Sequence, residues 1–142
     1  MENYINIYAD KEKAIHCAIW LNFKHRSEGK IYGVIHGPDD GWACVEKEIS
    51  EEMEIPFLDI LPIDLSDISF DEIKKIKTDE TIFAHWEIIS GMLSITDGEV
   101  LRFILHTKLP LEKFIRYELA SRGFDEYHKW CGFDNAEKIW LK

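Results

Sequence analysis

Glutamine is absent from this chain of 142 residues, prolines number four, and the three cysteines, Cys17, Cys44 and Cys131, form no C-x-x-C pair. An odd set of thiols without paired spacing excludes a disulfide framework and suits reduced cysteines in a cytosol. Long apolar runs are missing too. The longest uninterrupted one, Cys17 to Leu21, is five residues, far short of the roughly 20 that cross a bilayer, so no membrane span is expected. The opening Met-Glu-Asn-Tyr carries no basic region and no apolar run behind it, so a secretory signal is not expected and the reading is cytoplasmic. Positive charge is in deficit, with 17 Lys and Arg against 27 Asp and Glu. That balance repels phosphate backbones and anionic lipid, so neither nucleic acid nor membrane is an expected partner. No G-x-G-x-x-G, Walker loop, H-E-x-x-H or nucleophile elbow occurs, and no cofactor is expected. The missing glutamine and the excess of Ile over Val fit an AT-rich bacterial genome.

What the chain does contain is enough apolar material for a core: 46% hydrophobic and 13% aromatic residues. A chain of this length buries about two-thirds of its unfolded surface, so one domain without disulfide or structural metal is the expectation. Its negative charge is localised. Ten carboxylates lie between Glu46 and Glu72 against one base, Lys47, so this segment carries nine of the ten net negative charges.

The order of elements follows from local patterns. Tyr4 to Tyr8 alternates β-formers, and Asp10 stands as an N-cap before a helix whose apolar positions run from Ala14 to Leu21, ending near Arg26. Ile31–His36 and Trp42–Glu46 flank the turn cluster Gly37-Pro38-Asp39-Asp40-Gly41, a hairpin signature. Pro56 and Pro62 interrupt the next apolar stretch, which reads as an edge strand or an extended loop over the core. Ser69-Phe70-Asp71-Glu72 is a capping box, and Ile82, Phe83, Trp86 and Ile89 share a helical face that Gly91 is expected to end. Asp97-Gly98 predicts a second hairpin, with Leu101, Phe103 and Leu105 on one strand face. Pro110 opens a helix that Gly123 closes, and Lys138–Leu141 reads as a last strand. Together these favour an α+β domain with a mainly antiparallel sheet and helices packed on one face.

Three constellations could carry chemistry. His36, Asp39 and Asp40 put an imidazole and two carboxylates at one turn, with Cys44 on the neighbouring strand as a drawable nucleophile. The same Asp and Gly residues are also what such a turn needs for its own geometry. His128 and Cys131, at i and i+3, are half of a zinc site with no second half in view, so no metal is expected. His16 and Cys17 point about 100° apart on a helix and read as core. In the acidic segment, Glu51, Glu52, Glu54 and Asp59 interleave with Met53, Phe57 and Leu61, the pattern of apolar anchors ringed by carboxylates. The sequence therefore points to a small binding or regulatory protein, inhibitor-like, docking on a basic partner protein. The alternatives are a small-molecule enzyme built on His36, Asp39 and Asp40, and a homo-oligomeric subunit joined through its tail aromatics.

Overall fold

A computed structural model of the protein describes residues 6–58 and 61–142. Tyr4 and Ile5 of the expected first strand, and Asp59 of the acidic candidates, lie outside those residues. The chain divides between Ile63 and Asp64 into two compact units. Its class is α+β: the described residues form one three-stranded antiparallel sheet and seven helices.

In the first unit, β1 (Asn6–Tyr8), α1 (Lys11–Lys24), β2 (Tyr32–His36), β3 (Trp42–Glu46) and α2 (Lys47–Glu52) follow one another. The sheet order is β1-β3-β2, with Asn6 opposite Cys44 and Val34 opposite Cys44 on the other side. The Asp10 carboxylate caps α1, accepting from the Glu12 amide at 3.0 Å. Ala14, Cys17 and Ala18, all buried, form a stripe of small side chains that lets α1 lie close against the face carrying Val34 and Cys44. Alternation along the strands sends Ile35, Ala43 and Val45 to the opposite face, where Ile49, Ile55 and Phe57 cover them. Both faces are thus buried, which explains why all three central residues of β3 are apolar.

The outer edge of β2 is closed by side chain and loop. Asn22 accepts from the Tyr32 amide at 2.7 Å and donates to the Tyr32 carbonyl at 3.0 Å, standing in for a neighbouring strand. Leu58 donates its amide to the Val34 carbonyl at 2.8 Å. An edge so occupied offers no ladder to another chain. The helix α2 was not expected, whereas the stretch interrupted by Pro56, read as an edge strand or an extended loop over the core, is the loop in its described part: Ile55–Leu58 forms no strand and lies over the sheet.

The second unit holds α3 (Phe70–Thr78), α4 (Ala84–Ser94), α5 (Gly98–Thr107), α6 (Leu111–Arg122) and α7 (Phe133–Trp140). Ser69 caps α3 as expected, its hydroxyl accepting from the Glu72 amide at 3.1 Å. Gly91 does not end its helix; α4 runs through it to Ser94. Two expected strands are helices. Asp97 is not a hairpin corner but the N-cap of α5, accepting from the Glu99 amide at 2.9 Å, and the better-covered residues of α5 are Leu101 and Ile104, a helical spacing. Lys138–Trp140 belongs to α7, whose sheltered positions Ala136, Ile139 and Trp140 also keep that period. Gly123, at φ +77, ends α6 in the left-handed conformation read from the sequence, with the Trp130 ring packed over it. Trp140 donates its indole N–H to the Phe124 carbonyl at 2.8 Å and ties α7 to the end of α6. No helix among the described residues is long and apolar enough to cross a membrane.

Candidate functional site

The acidic segment is held by its apolar residues. Ile49, Ile55 and Phe57 pack on Ile35, Ala43 and Val45, while the Ser50 hydroxyl, buried, donates to the Ile55 carbonyl across the turn that follows α2. Phe57 sits directly on Gly33, where an added Cβ would lie 2.6 Å from the ring. Phe57 is therefore a core residue and not a free docking anchor, whereas Met53 is 45% exposed. With the inner face fixed, Glu48, Glu51, Glu52 and Glu54 all stand exposed, and among the described residues none of the four is in an ion pair. Further along, Asp64 accepts from the Ser66 hydroxyl at 2.6 Å and from its amide at 3.1 Å. Those bonds hold its carboxyl below the usual range. The ten carboxylates of the segment straddle the division at Ile63, so the first unit carries the six from Glu46 to Asp59 and the second the four from Asp64 to Glu72.

The β2–β3 turn is stabilised by its own geometry. Gly37 donates to the Gly41 carbonyl at 2.8 Å, and Asp39 and Asp40 both take left-handed backbone conformations, φ +57 and +58. Asp and Asn tolerate that region better than other residues with a side chain. His36, Asp39 and Asp40 are exposed, and among the described residues they form no hydrogen bond or ion pair with one another. Cys44 is buried against α1, two residue pairs further along the ladder than His36. A cleft of about 430 Å³ lies elsewhere on the first unit, lined by Asn22, Ile31, Tyr32, Phe57, Leu58 and Leu61. None of the turn's titratable groups reaches it.

Cys17, in the stripe of α1 that packs on the sheet, lies on the side of the sheet that carries the buried Cys44, and the Tyr8 hydroxyl donates to the Cys17 sulfur at 3.7 Å. The hydrogen bond from Cys44 is the main reason that the Cys17 thiol is lowered to about 7; burial opposes it, and Tyr8 and Asn6 add to it. Cys44 is pushed up, because it keeps the shared proton and is buried beside a thiolate. Tyr8 is raised above its ordinary value by burial first and by Cys17 second. Sequence reasoning took Cys17 as core packing and paired Cys44 with His36. The available signal was the Ala14, Cys17, Ala18 stripe facing a buried strand, but 26 intervening residues hide the partner.

In the second unit, the Asp125 carboxylate accepts from the Tyr127 and Lys129 amides, each at 2.9 Å, and organises the turn from Gly123 to Cys131. His128 stacks on Phe124 with ring centroids 5.1 Å apart. The Cys131 thiol contacts the Gly123 and Gly132 carbonyls, both at 3.6 Å. Both residues serve the local turn, and among the described residues no three His, Cys, Asp or Glu side chains gather as a metal site. No protein-family model matches this chain, and no curated protein or solved structure matches it.

Proposed function

We propose that the protein is a cytoplasmic binding module whose acidic face docks on a basic protein surface, as an inhibitor or protective partner does. One observation carries this reading: Glu48, Glu51, Glu52 and Glu54 are exposed and outside any ion pair among the described residues, on a helix and turn anchored to the sheet by Ile49, Ile55 and Phe57. Charges on a fixed backbone keep their pattern without an ordering cost at encounter, which favours fast, selective association. The small-molecule enzyme reading has weaker support, since the cleft beside Tyr32 is lined by none of His36, Asp39 or Asp40. The test is capture of partners from lysate at low and at high salt, repeated with the Glu51→Gln, Glu52→Gln, Glu54→Gln triple variant. A basic protein retained at low salt by wild type and lost by the variant supports the reading. Equal capture by both proteins, or capture insensitive to salt, removes it.

A further inference from the structure

We propose that α4, α5 and the first turns of α6 form a self-association surface, covered by the same surface of a second copy of this chain. The second unit has almost no core of its own. Among the described residues from 64 to 142, only Ala120, Gly123 and Ala136 are buried, so no large apolar side chain is fully covered there. Its helices pair sparsely: α6 lies along α7 and α3 along α4, and among the described residues no other two of the five lie side by side. A unit that orders this much backbone must bury apolar surface to offset the conformational entropy it loses.

The uncovered apolar residues keep helical spacing. Ile88, Met92 and Ile95, the last just past the end of α4, stand in one line with Ile89 and Leu93 beside it. Val100 and Phe103 share a side of α5. The side of α6 that carries Arg116 and the buried Ala120 meets α7, where Arg116 donates to the Trp140 carbonyl at 3.4 Å. That leaves Leu111, Phe114 and Ile115 on another side of the helix, exposed. From Ile88 to Ile115, eleven large apolar side chains are exposed, on the order of 1,000 Å² in all, which exceeds the roughly 800 Å² that each partner gives to a standard interface. The tail aromatics are a separate matter, since Trp130 packs over Gly123 and Trp140 bonds to the Phe124 carbonyl.

Charge selects the occupant. No charged residue occurs from Ile88 to Thr96, and residues 84–115 hold three bases, Arg102, Lys108 and Lys113, against four acids, Glu87, Asp97, Glu99 and Glu112, a net of minus one. Two identical copies can meet through such a surface without repulsion, whereas the stretch from Glu46 to Glu72, with nine net negative charges, would repel its own copy. A lipid surface fits badly, because helices that lie on membranes carry Lys and Arg on their polar face and α4 has neither. A basic protein is drawn to the acidic face of the first unit, so docking there and self-association here are independent.

The experiment uses the full chain, in light scattering after size exclusion and in sedimentation velocity across a concentration series. Wild type is expected to be dimeric. Met92→Glu and Phe103→Glu each place a carboxylate at an exposed position of the surface, and each should weaken the dimer at least about tenfold, because like charges then meet across a two-fold contact. The Glu51→Gln, Glu52→Gln, Glu54→Gln triple variant should keep the wild-type dimer. A second measurement decides if a carboxylate variant does not fold: benzoylphenylalanine in place of Phe103 keeps an apolar aromatic there and, on illumination, should cross-link one chain to residues 84–115 of another. Three results overturn the proposal: a wild-type monomer throughout the series, a dimer that both carboxylate variants leave intact, or a photo-cross-link confined to one chain. A dimer dissolved by the triple variant places the contact on the acidic face and overturns it as well, while capture of a basic partner, read separately, stands or falls on its own.

Discussion

Two glycines with opposite roles show how backbone geometry decides the effect of one methyl group. Gly123 sits at φ +77, and a Cβ there would collide with the Trp130 ring, whose Cη2 would lie 2.8 Å away. Left-handed backbone costs a residue with a side chain about 1–2 kcal/mol, and overpacking adds about 1–3, so Gly123→Ala should destabilise by about 3 kcal/mol in urea unfolding. Gly91 lies inside α4 with nothing within 4 Å of where a Cβ would stand. There, Gly91→Ala should stabilise by about 0.5–1 kcal/mol, since alanine loses less backbone freedom in a helix. Equal effects at the two positions would contradict both assignments. Cys17 gives a third prediction at this scale. Its folded-state value of about 7 lies below the ordinary 9.0 of an unfolded thiol. A depressed value means the contribution to stability is absent below pH 7, grows between pH 7 and 9, and is complete above. Cys44 and Tyr8, both raised, act in the other direction as pH climbs past their ordinary values of 9.0 and 10.0. Thiolate absorbance near 240 nm should therefore show one thiolate forming at about pH 7 in the folded chain and not in urea. No rise below pH 8 would remove the assignment.

At the level of elements, caps and glycine signals carried most of what the sequence made legible. Asp10, Ser69 and Gly123 each mark a helix end by a hydrogen bond or a backbone conformation made within a few residues, and each stands where the sequence reading puts it. The β2–β3 hairpin was equally local, set by five turn residues. The errors fell on short apolar runs. Leu101, Phe103 and Leu105 alternate, but Leu101 and Ile104 also lie on one helical face, and four to eight residues do not separate those periods. Asp97-Gly98 then fits a hairpin corner or a helix start equally well, and the capping bond to Glu99 decides for the helix. The candidate site was legible only as charge: the clustering of Glu48, Glu51, Glu52 and Glu54 is read directly from the sequence, whereas the burial of Cys17 and Cys44 on the α1 side of the sheet depends on tertiary packing that no local pattern records. Asn22 likewise acts through tertiary packing. Its two bonds close the β2 edge, so Asn22→Ala should cost about 1–3 kcal/mol and expose the Tyr32 ladder groups. Light scattering of the concentrated variant should reveal association beyond that of wild type; a variant of wild-type mass and stability would show that the edge is protected by other means.

For the molecule as a whole, the decisive quantity is how charge is divided and fixed. Residues 1–63 hold six basic against twelve acidic side chains, and residues 64–142 hold eleven against fifteen, so the first unit is the more acidic for its size. Within it, Glu48, Glu51, Glu52 and Glu54 project from a backbone whose inner face is spent on the sheet core. A field of this kind attracts an oppositely charged surface before contact, and salt screens it over about 8 Å at physiological ionic strength, so association with a basic partner should slow steeply as salt rises while dissociation changes less. Replacing Glu51, Glu52 and Glu54 with Gln keeps side-chain size at exposed positions, so folding stability should stay within about 0.5 kcal/mol of wild type. The on-rate at low salt should fall about tenfold, within the range that electrostatic steering supplies, and should converge with wild type at high salt where the field is screened. Stopped-flow association with the captured partner, run across a salt series, measures both terms. Superimposable rates for wild type and variant at low salt would leave this part of the acidic segment as a solvated face that keeps the protein soluble, with docking assigned elsewhere.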